Sequence, residues 1–422
     1  MTEAPAARGR GRSARGAAFW LFAAHLWTVF GLALSNVLLG LTVLAAPFAW
    51  AGEGGGARAA VRRALRLGRR GGPLLAALAL YALLLLAAVA ASLDPGRSAR
   101  ALSELFNLAV VPLALLLVRG EREARRVADG LVVVAALSAL FGLAQFLVGY
   151  GDLSHRIRAS FSHYMTFSGV LLVADCLLLA RLACRPADGL RRGAWRWGAL
   201  VAINAALLGS YTRSAWVGLA VALVLLVLVR APKWLLALPV AALLFALLAP
   251  APVRDRARSI VDLEHPSNRD RLAMVRSGAA MVADRPLVGV GPEMVDVLYP
   301  RYRVESAVRD EVPHLHDSFL QVAAERGLPA LGAFLAVLGI SLAGAWRRLR
   351  REGGCDGPRA DLHLGALLAV VAFSVAGLFE HNWGDTEVQR LVLFALVLPF
   401  VANGAERAAA GGASMGEARK IV

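Results

Sequence analysis

Apolar runs separated by short charged segments recur along the whole chain, and most reach the roughly 20 residues that a helix needs to cross the hydrocarbon core of a bilayer. Read between their charged boundaries, they predict spans at residues 17–31, 33–50, 73–92, 101–118, 127–149, 161–180, 197–209, 214–229, 234–251, 328–345, 362–379 and 388–403. The expected architecture is therefore all-α and polytopic, with about twelve transmembrane helices and both termini on one side. One long polar interval breaks the pattern, giving N-terminal transmembrane helices over 1–251, a loop over 252–327, C-terminal helices over 328–404 and a tail over 405–422. Residues 17–50 are either one long tilted helix or a hairpin, and only the hairpin keeps both basic flanks on the same side. This stretch is too long for a signal-peptide core and is followed by many more spans, so it is expected to be retained.

Composition agrees: 58% of the 422 residues are hydrophobic, and the mean hydropathy is +0.59. The net charge of +16 invites a nucleic-acid partner, but its distribution argues against one. Basic clusters alternate between spans. If those loops and the termini are cytoplasmic, they hold 29 of the 46 Lys and Arg, against 6 in the short opposite loops and 11 in the long loop. That bias sets the orientation. The long loop carries about as many acids as bases, so no basic surface suited to nucleic acid faces outward. Cys176, Cys184 and Cys355 fall within or on the cytoplasmic side of the map and form no disulfide or zinc pattern. Trp50, Trp195, Trp197, Trp216, Trp234, Trp346 and Trp383 lie at span ends, where interfacial anchors belong.

The long loop carries its own signals. A helix capped by Asn268 or Asp270 is expected to run to about Ala283, burying Leu272, Val275, Met281 and Val282. DRPLVGVGPEM, residues 284–294, reads as a turn. Ser318 to Arg326 reads as a short amphipathic helix started by His316 or Asp317, closed by Gly327 and followed by Pro329 opening the next span.

Four outward segments concentrate titratable residues: Arg156 and Arg158 in SHRIRASFSHYM, Arg213 in SYTRSAW, His314 and His316 in PHLHDSF, and FEHNWGDTE at 379–387. An arginine at a helix end serves either as an interface anchor or as an anion ligand, and guanidinium forks suit a pyrophosphate at headgroup depth. His316 sits where the positive end of the Ser318 helix disfavours imidazolium, the profile of a general base; an interfacial structural role is the alternative. In an extended segment His314 points the other way, as a supporting or exposed residue. His314, His316, Asp317 and His381 also offer metal ligands, but the spacing lacks a further ligand pair, and no metal is expected. Glu380, Asp385 and Glu387 either orient the site or form a solvated loop. Asp175 is the main ionisable residue expected inside a span, a distribution that argues against the rival reading of a polysaccharide or lipid transporter.

HDSFLQVAAERGLPALG, SYTRSAWVGL, DRPLVGVGPEM and FEHNWGDTE together resemble, in order, the signature segments of the bacterial O-antigen ligase and O-antigen polymerase superfamily. Asp317 stands where the family usually has an amide, and Ala330 where glycine is common. The resemblance implies a multi-pass inner-membrane glycosyltransferase with its site facing the periplasm, taking a glycan from undecaprenyl pyrophosphate. The acceptor would be a lipid A-core sugar in the ligase branch, or a further repeat unit in the O-antigen or exopolysaccharide polymerase branch. It further implies no cofactor, with His316 activating the acceptor hydroxyl, Arg158 or Arg156 and Arg213 gripping pyrophosphate, and His314, Asp317, Glu380 and Asp385 around them.

Overall fold

The computed structural model describes residues 5–51, 57–150, 155–185 and 190–401. The protein is all-helical, with no strand among these residues, as the polytopic reading expects. A helix lies at each of the twelve expected positions, and among the described residues eight helices are long and apolar enough to cross a membrane. The expected tail at 405–422 lies outside the described residues, as do residues 52–56.

Residues 17–50 resolve as the hairpin. Pro5–Trp27 and Leu32–Ala51 are separate helices packed along each other. The turn between them is held by Gly31 N–H to the Thr28 carbonyl and by the Ser35 hydroxyl to the His25 carbonyl. The expected span at 234–251 is an apolar helix over Pro232–Leu248, shorter than the eight candidate spans, in which a 3-10 turn runs into the α-helix Ala237–Leu248. It buries none of its residues.

Three helices form the centre. In the Ala360–Gly377 and Tyr164–Cys184 helices 83% and 72% of the apolar window is buried, against 28% for Leu32–Ala51, Glu121–Val148 and Arg213–Arg230, which therefore take the outer, lipid-facing positions. The third, Thr386–Val401, is buried from Val388 to Val401. Small residues permit the close approach: a Cβ on Gly218 would lie 2.6 Å from the Ala372 carbonyl oxygen, so the Arg213–Arg230 helix packs on the central one only with glycine there.

The polar interval folds over one end of this bundle as helices Ala251–Arg258, Pro266–Asp284 and Val295–Tyr302. The Pro266–Asp284 helix starts at His265, whose ring accepts from Ser267 N–H, rather than at Asn268 or Asp270. Its buried face is the expected one only in part: Met281 is inside, with Asp270, Ala273, Met274, Ser277 and Gly278, and Val282 packs against the same cluster, while Leu272 and Val275 are 52% and 42% exposed. Small and polar positions allow the tight packing, and a Cβ on Gly278 would collide with Leu315 and Leu320.

The Ser318–Arg351 helix has the expected break. Asp317 caps it, accepting from the N–H groups of Phe319 and Leu320 at 2.8 and 2.9 Å. Gly327, at φ 83°, interrupts it. The glycine turn of 284–294 fits into that interruption: Val290 N–H reaches the Ala324 carbonyl, Gly291 N–H the Glu325 carbonyl and Leu328 N–H the Pro286 carbonyl. A Cβ on Gly289, at φ 68°, would stand 2.2 Å from the Glu325 carbonyl carbon. The turn is thus a strap that fixes where the Ser318 segment points.

Candidate active site

His316 is held in the left-handed region, at φ 51°, a conformation that costs a non-glycine residue roughly 1 kcal/mol or more and persists only where the surroundings impose it. Asp317, extended and capping the next helix, holds one side of it. On the other side Leu315 N–H donates to the Gln321 side-chain oxygen at 2.8 Å. The consequence corrects the expectation for His314. The break in extended backbone removes the alternation of side chains, so both imidazoles lie together, with ring centroids 4.3 Å apart.

Glu380 completes the group from the turn before the last helix. Its carboxylate oxygens lie 3.0 and 3.1 Å from His316 Nδ1. The side chain of Ser318 pins the same turn, donating to the Glu380 carbonyl at 3.0 Å and accepting from Trp383 N–H at 3.3 Å. Burial pushes the Glu380 carboxyl up, but the hydrogen bond and charge of His316, with His314 and Arg271, outweigh it and hold the group below its ordinary range. Facing an ionised carboxylate, His316 Nδ1 is placed to donate, and the tautomer that does so leaves the Nε2 lone pair for a substrate. Burial lowers the neighbouring imidazoles, His314 to about 4 and His381 well below its ordinary value, so both are neutral bases near pH 7. His314, His316 and Glu380 place ligand atoms within 4.8 Å of one another, a set that could hold a cation; in that set Glu380 takes the place expected of Asp317, which is spent on the helix cap.

These residues open into a polar cavity of 590 Å³, whose lining also includes His163, Tyr164, Glu293, Glu325, Arg326 and Asp385. Asp385 is pushed up to about 7 by burial and then by the charge of Glu380, against a hydrogen bond from Thr166.

The sequence-selected arginines take different places. Arg213 is buried at the start of its helix, where its guanidinium donates to the carbonyl and hydroxyl of Ser259 and to the Ser267 hydroxyl. It ties the span to the polar interval and does not line the 590 Å³ cavity. Arg156 lies over the Tyr164 ring, 4.4 Å from its centroid, while Arg158 is exposed and donates to the Ser162 carbonyl at 2.8 Å. Two arginines not singled out from sequence join them. Arg271 approaches Glu380 at 4.0 Å, and Arg256 donates to the Tyr211 carbonyl. Burial first and the charge of Arg156 next lower Arg256 to about 10; Arg271 is lowered by burial, against the charge of Glu380. Arg256 also lines a second cavity, of 420 Å³, with Ser259 and His265. Arg156, Arg213, Arg256 and Arg271 therefore crowd positive charge on one flank of the His316–Glu380 pair.

The expectation that the spans are nearly free of charge does not hold. Glu104 and Arg390, inside the expected spans 101–118 and 388–403, are buried, as is Arg326 at the end of the long loop. Arg326 pairs with Glu104 at 2.8 Å. Trp383 Nε1 donates to Glu104 at 2.7 Å and to the Tyr81 hydroxyl at 2.9 Å, and Gln389 donates to Glu104 at 3.1 Å. Asn107 links Gln389 onward to Arg390. Trp383, expected as an interfacial anchor, is 2% exposed and belongs to this network, whereas Trp195, Trp197, Trp234 and Trp346 are exposed at helix ends. Asp175 is accounted for by Asn204, whose amide donates to both carboxylate oxygens.

The segment that carries Arg213, Arg256, Arg271, His314 and His316 also decides the comparison with known families. Residues 198–335 match the O-Antigen ligase family model. The match bears out the resemblance to the O-antigen ligase and polymerase superfamily and supports a function of that general type, that of a glycosyltransferase-like membrane protein. Arg156, Glu380 and Asp385 lie outside the matched O-antigen ligase segment, and reach it only through the fold. No curated protein matches the chain.

Arg271 had a legible signal. It falls at helical spacing with Met274, Gly278 and Met281, on the face that small residues mark as packed. Arg256 had none, being one of several arginines in a mixed-charge stretch.

Proposed function

We propose that the protein transfers a glycan from undecaprenyl pyrophosphate to an acceptor sugar hydroxyl, as an O-antigen ligase joining the glycan to lipid A-core at the periplasmic face of the bacterial inner membrane. The observation that carries this reading is the His316–Glu380 pair opening into a polar cavity beside partly buried arginines. Glu380 holds His316 with Nε2 available. Nε2 takes the proton of the acceptor hydroxyl as its oxygen bonds to the anomeric carbon, and the bond from that carbon to the diphosphate oxygen breaks. The departing negative charge falls to guanidinium groups, for which Arg271, Arg256 and Arg156 are best placed, with Arg213 supporting the loop they stand on. Cations confined together at partial burial favour a multiply charged anion over water, which supports a diphosphate there. With arginines taking that charge and an imidazole taking the proton, the reaction as written needs no metal or cofactor.

The test is genetic and chemical. Deleting the gene should leave long glycan chains on the lipid carrier and shorten the lipopolysaccharide ladder, and complementation with His316→Ala should restore neither. Single repeats on the carrier would make the protein a polymerase instead, and full complementation by His316→Ala would remove the base assignment.

A further inference from the structure

The 590 Å³ cavity has a wall that the donor reading does not use. Beside the His316–Glu380 pair it presents Glu293, Glu325 and Asp385, while its other two carboxylates are spoken for: Asp296 by Arg97 at 2.5 Å and Glu104 by Arg326 at 2.8 Å. The cations in the lining, Arg309 and Arg326, are likewise engaged, Arg309 with Asp270 at 3.3 Å. The face therefore holds carboxyl groups that no lining cation matches, with Asp385, pushed up to about 7, only partly ionised near neutral pH. The Glu325 carboxylate already accepts from Gln321 at 2.8 Å and from Glu293 N–H at 3.0 Å, so it is fixed in place.

A hydroxyl group suits this surface, since it can donate its hydrogen to a carboxylate. An ammonium group suits the carboxylates still better. A carboxylate or phosphate on the incoming ring would face like charge in a confined space. We propose that this cavity is the acceptor chamber and that it selects a saccharide end that is uncharged or amino-bearing, excluding ends that carry uronate or phosphate. The proposal rests on the transfer reading above. It adds a division of labour in which anion binding belongs to the arginine flank and polyol binding to the carboxylate wall, which His316 lines as well.

Binding measured without turnover separates the two ideas. Full-length His316→Ala protein in phosphatidylcholine nanodiscs is titrated calorimetrically with three trisaccharides: the N-acetylglucosamine trimer, the glucosamine trimer and trigalacturonate. The first two should bind, and trigalacturonate should bind roughly tenfold or more weakly. Glu293→Gln in the same background should narrow that gap. Trigalacturonate binding as tightly as the neutral trimer, no binding by any of the three, or a gap indifferent to Glu293→Gln, would each overturn the selectivity while leaving the His316 transfer test untouched. Intact selectivity with full complementation by His316→Ala would instead sink the catalytic reading.

Discussion

Nδ1 of His316 lies 3.0 Å from Oε1 of Glu380, so a residue in the long loop and one before the last helix, 64 positions apart, act as one unit. In the proposed transfer the carboxylate would set the tautomer and steady the imidazolium formed as the acceptor proton arrives. Glu380→Gln keeps the shape and removes the charge. Transfer should fall by on the order of a hundredfold, with the apparent affinity for lipid-linked donor nearly unchanged. Rates measured with purified protein over a donor series check this, and a wild-type rate would show that the carboxylate does nothing for His316.

The buried imidazoles make stability depend on acidity in a defined direction. His314 is ordinarily near 6.5 and falls to about 4 in the fold, first through burial. Below pH 6.5 the unfolded chain takes up a proton that the folded ring refuses until about pH 4. Stability is therefore lost progressively as pH drops through that window, and His381, shifted the same way, adds to the loss. Thermal unfolding of the protein in detergent should show a melting temperature falling between pH 6.5 and 4. His314→Gln should flatten that slope, and an unchanged slope would show that His314 is charged in the fold.

Much of this was legible in the sequence, and the failures have physical causes. Run length located the helices because bilayer thickness sets them, and the glycine turn was readable because positive φ demands glycine. Leu272 and Val275 misled because apolar side chains beside a membrane are as acceptable outside as inside, so small residues such as Gly278 mark the packed face instead. His314 was misplaced because no local signal announces that His316 leaves extended geometry; the strap and the Asp317 cap impose it from outside. Glu104, Arg326 and Arg390 are single polar letters in or beside apolar runs, and only the packed helices reveal that they meet.

Arg213 shows how a residue chosen for anion binding carries structural weight as well. It makes three hydrogen bonds to Ser259 and Ser267 from a buried position. Lysine keeps the charge but lacks the fork that reaches both serines. Arg213→Lys should lower stability by about 2 kcal/mol and weaken donor use, since the loop it anchors carries Arg256 and Arg271. Equilibrium unfolding together with donor titration measures both effects. Lost donor use at full stability would mean direct contact with the diphosphate, and no loss of either would leave the fork without a role.

The Glu104–Arg326 pair tests the network beneath the cavity. Both residues are buried, and the same carboxylate receives Trp383 and Gln389, so its removal strands a guanidinium and loosens the segment that carries Glu380. Breaking such a pair from one side typically costs about 3–5 kcal/mol, because the surviving charge stays in a poor solvent for it. Glu104→Ala should therefore destabilise the protein by about that amount. The double variant Glu104→Gln/Arg326→Met, which leaves no bare charge, should lose less than the two single changes added together. Unfolding of the four proteins closes the cycle. Additive losses would mean that the two residues do not interact in the folded protein.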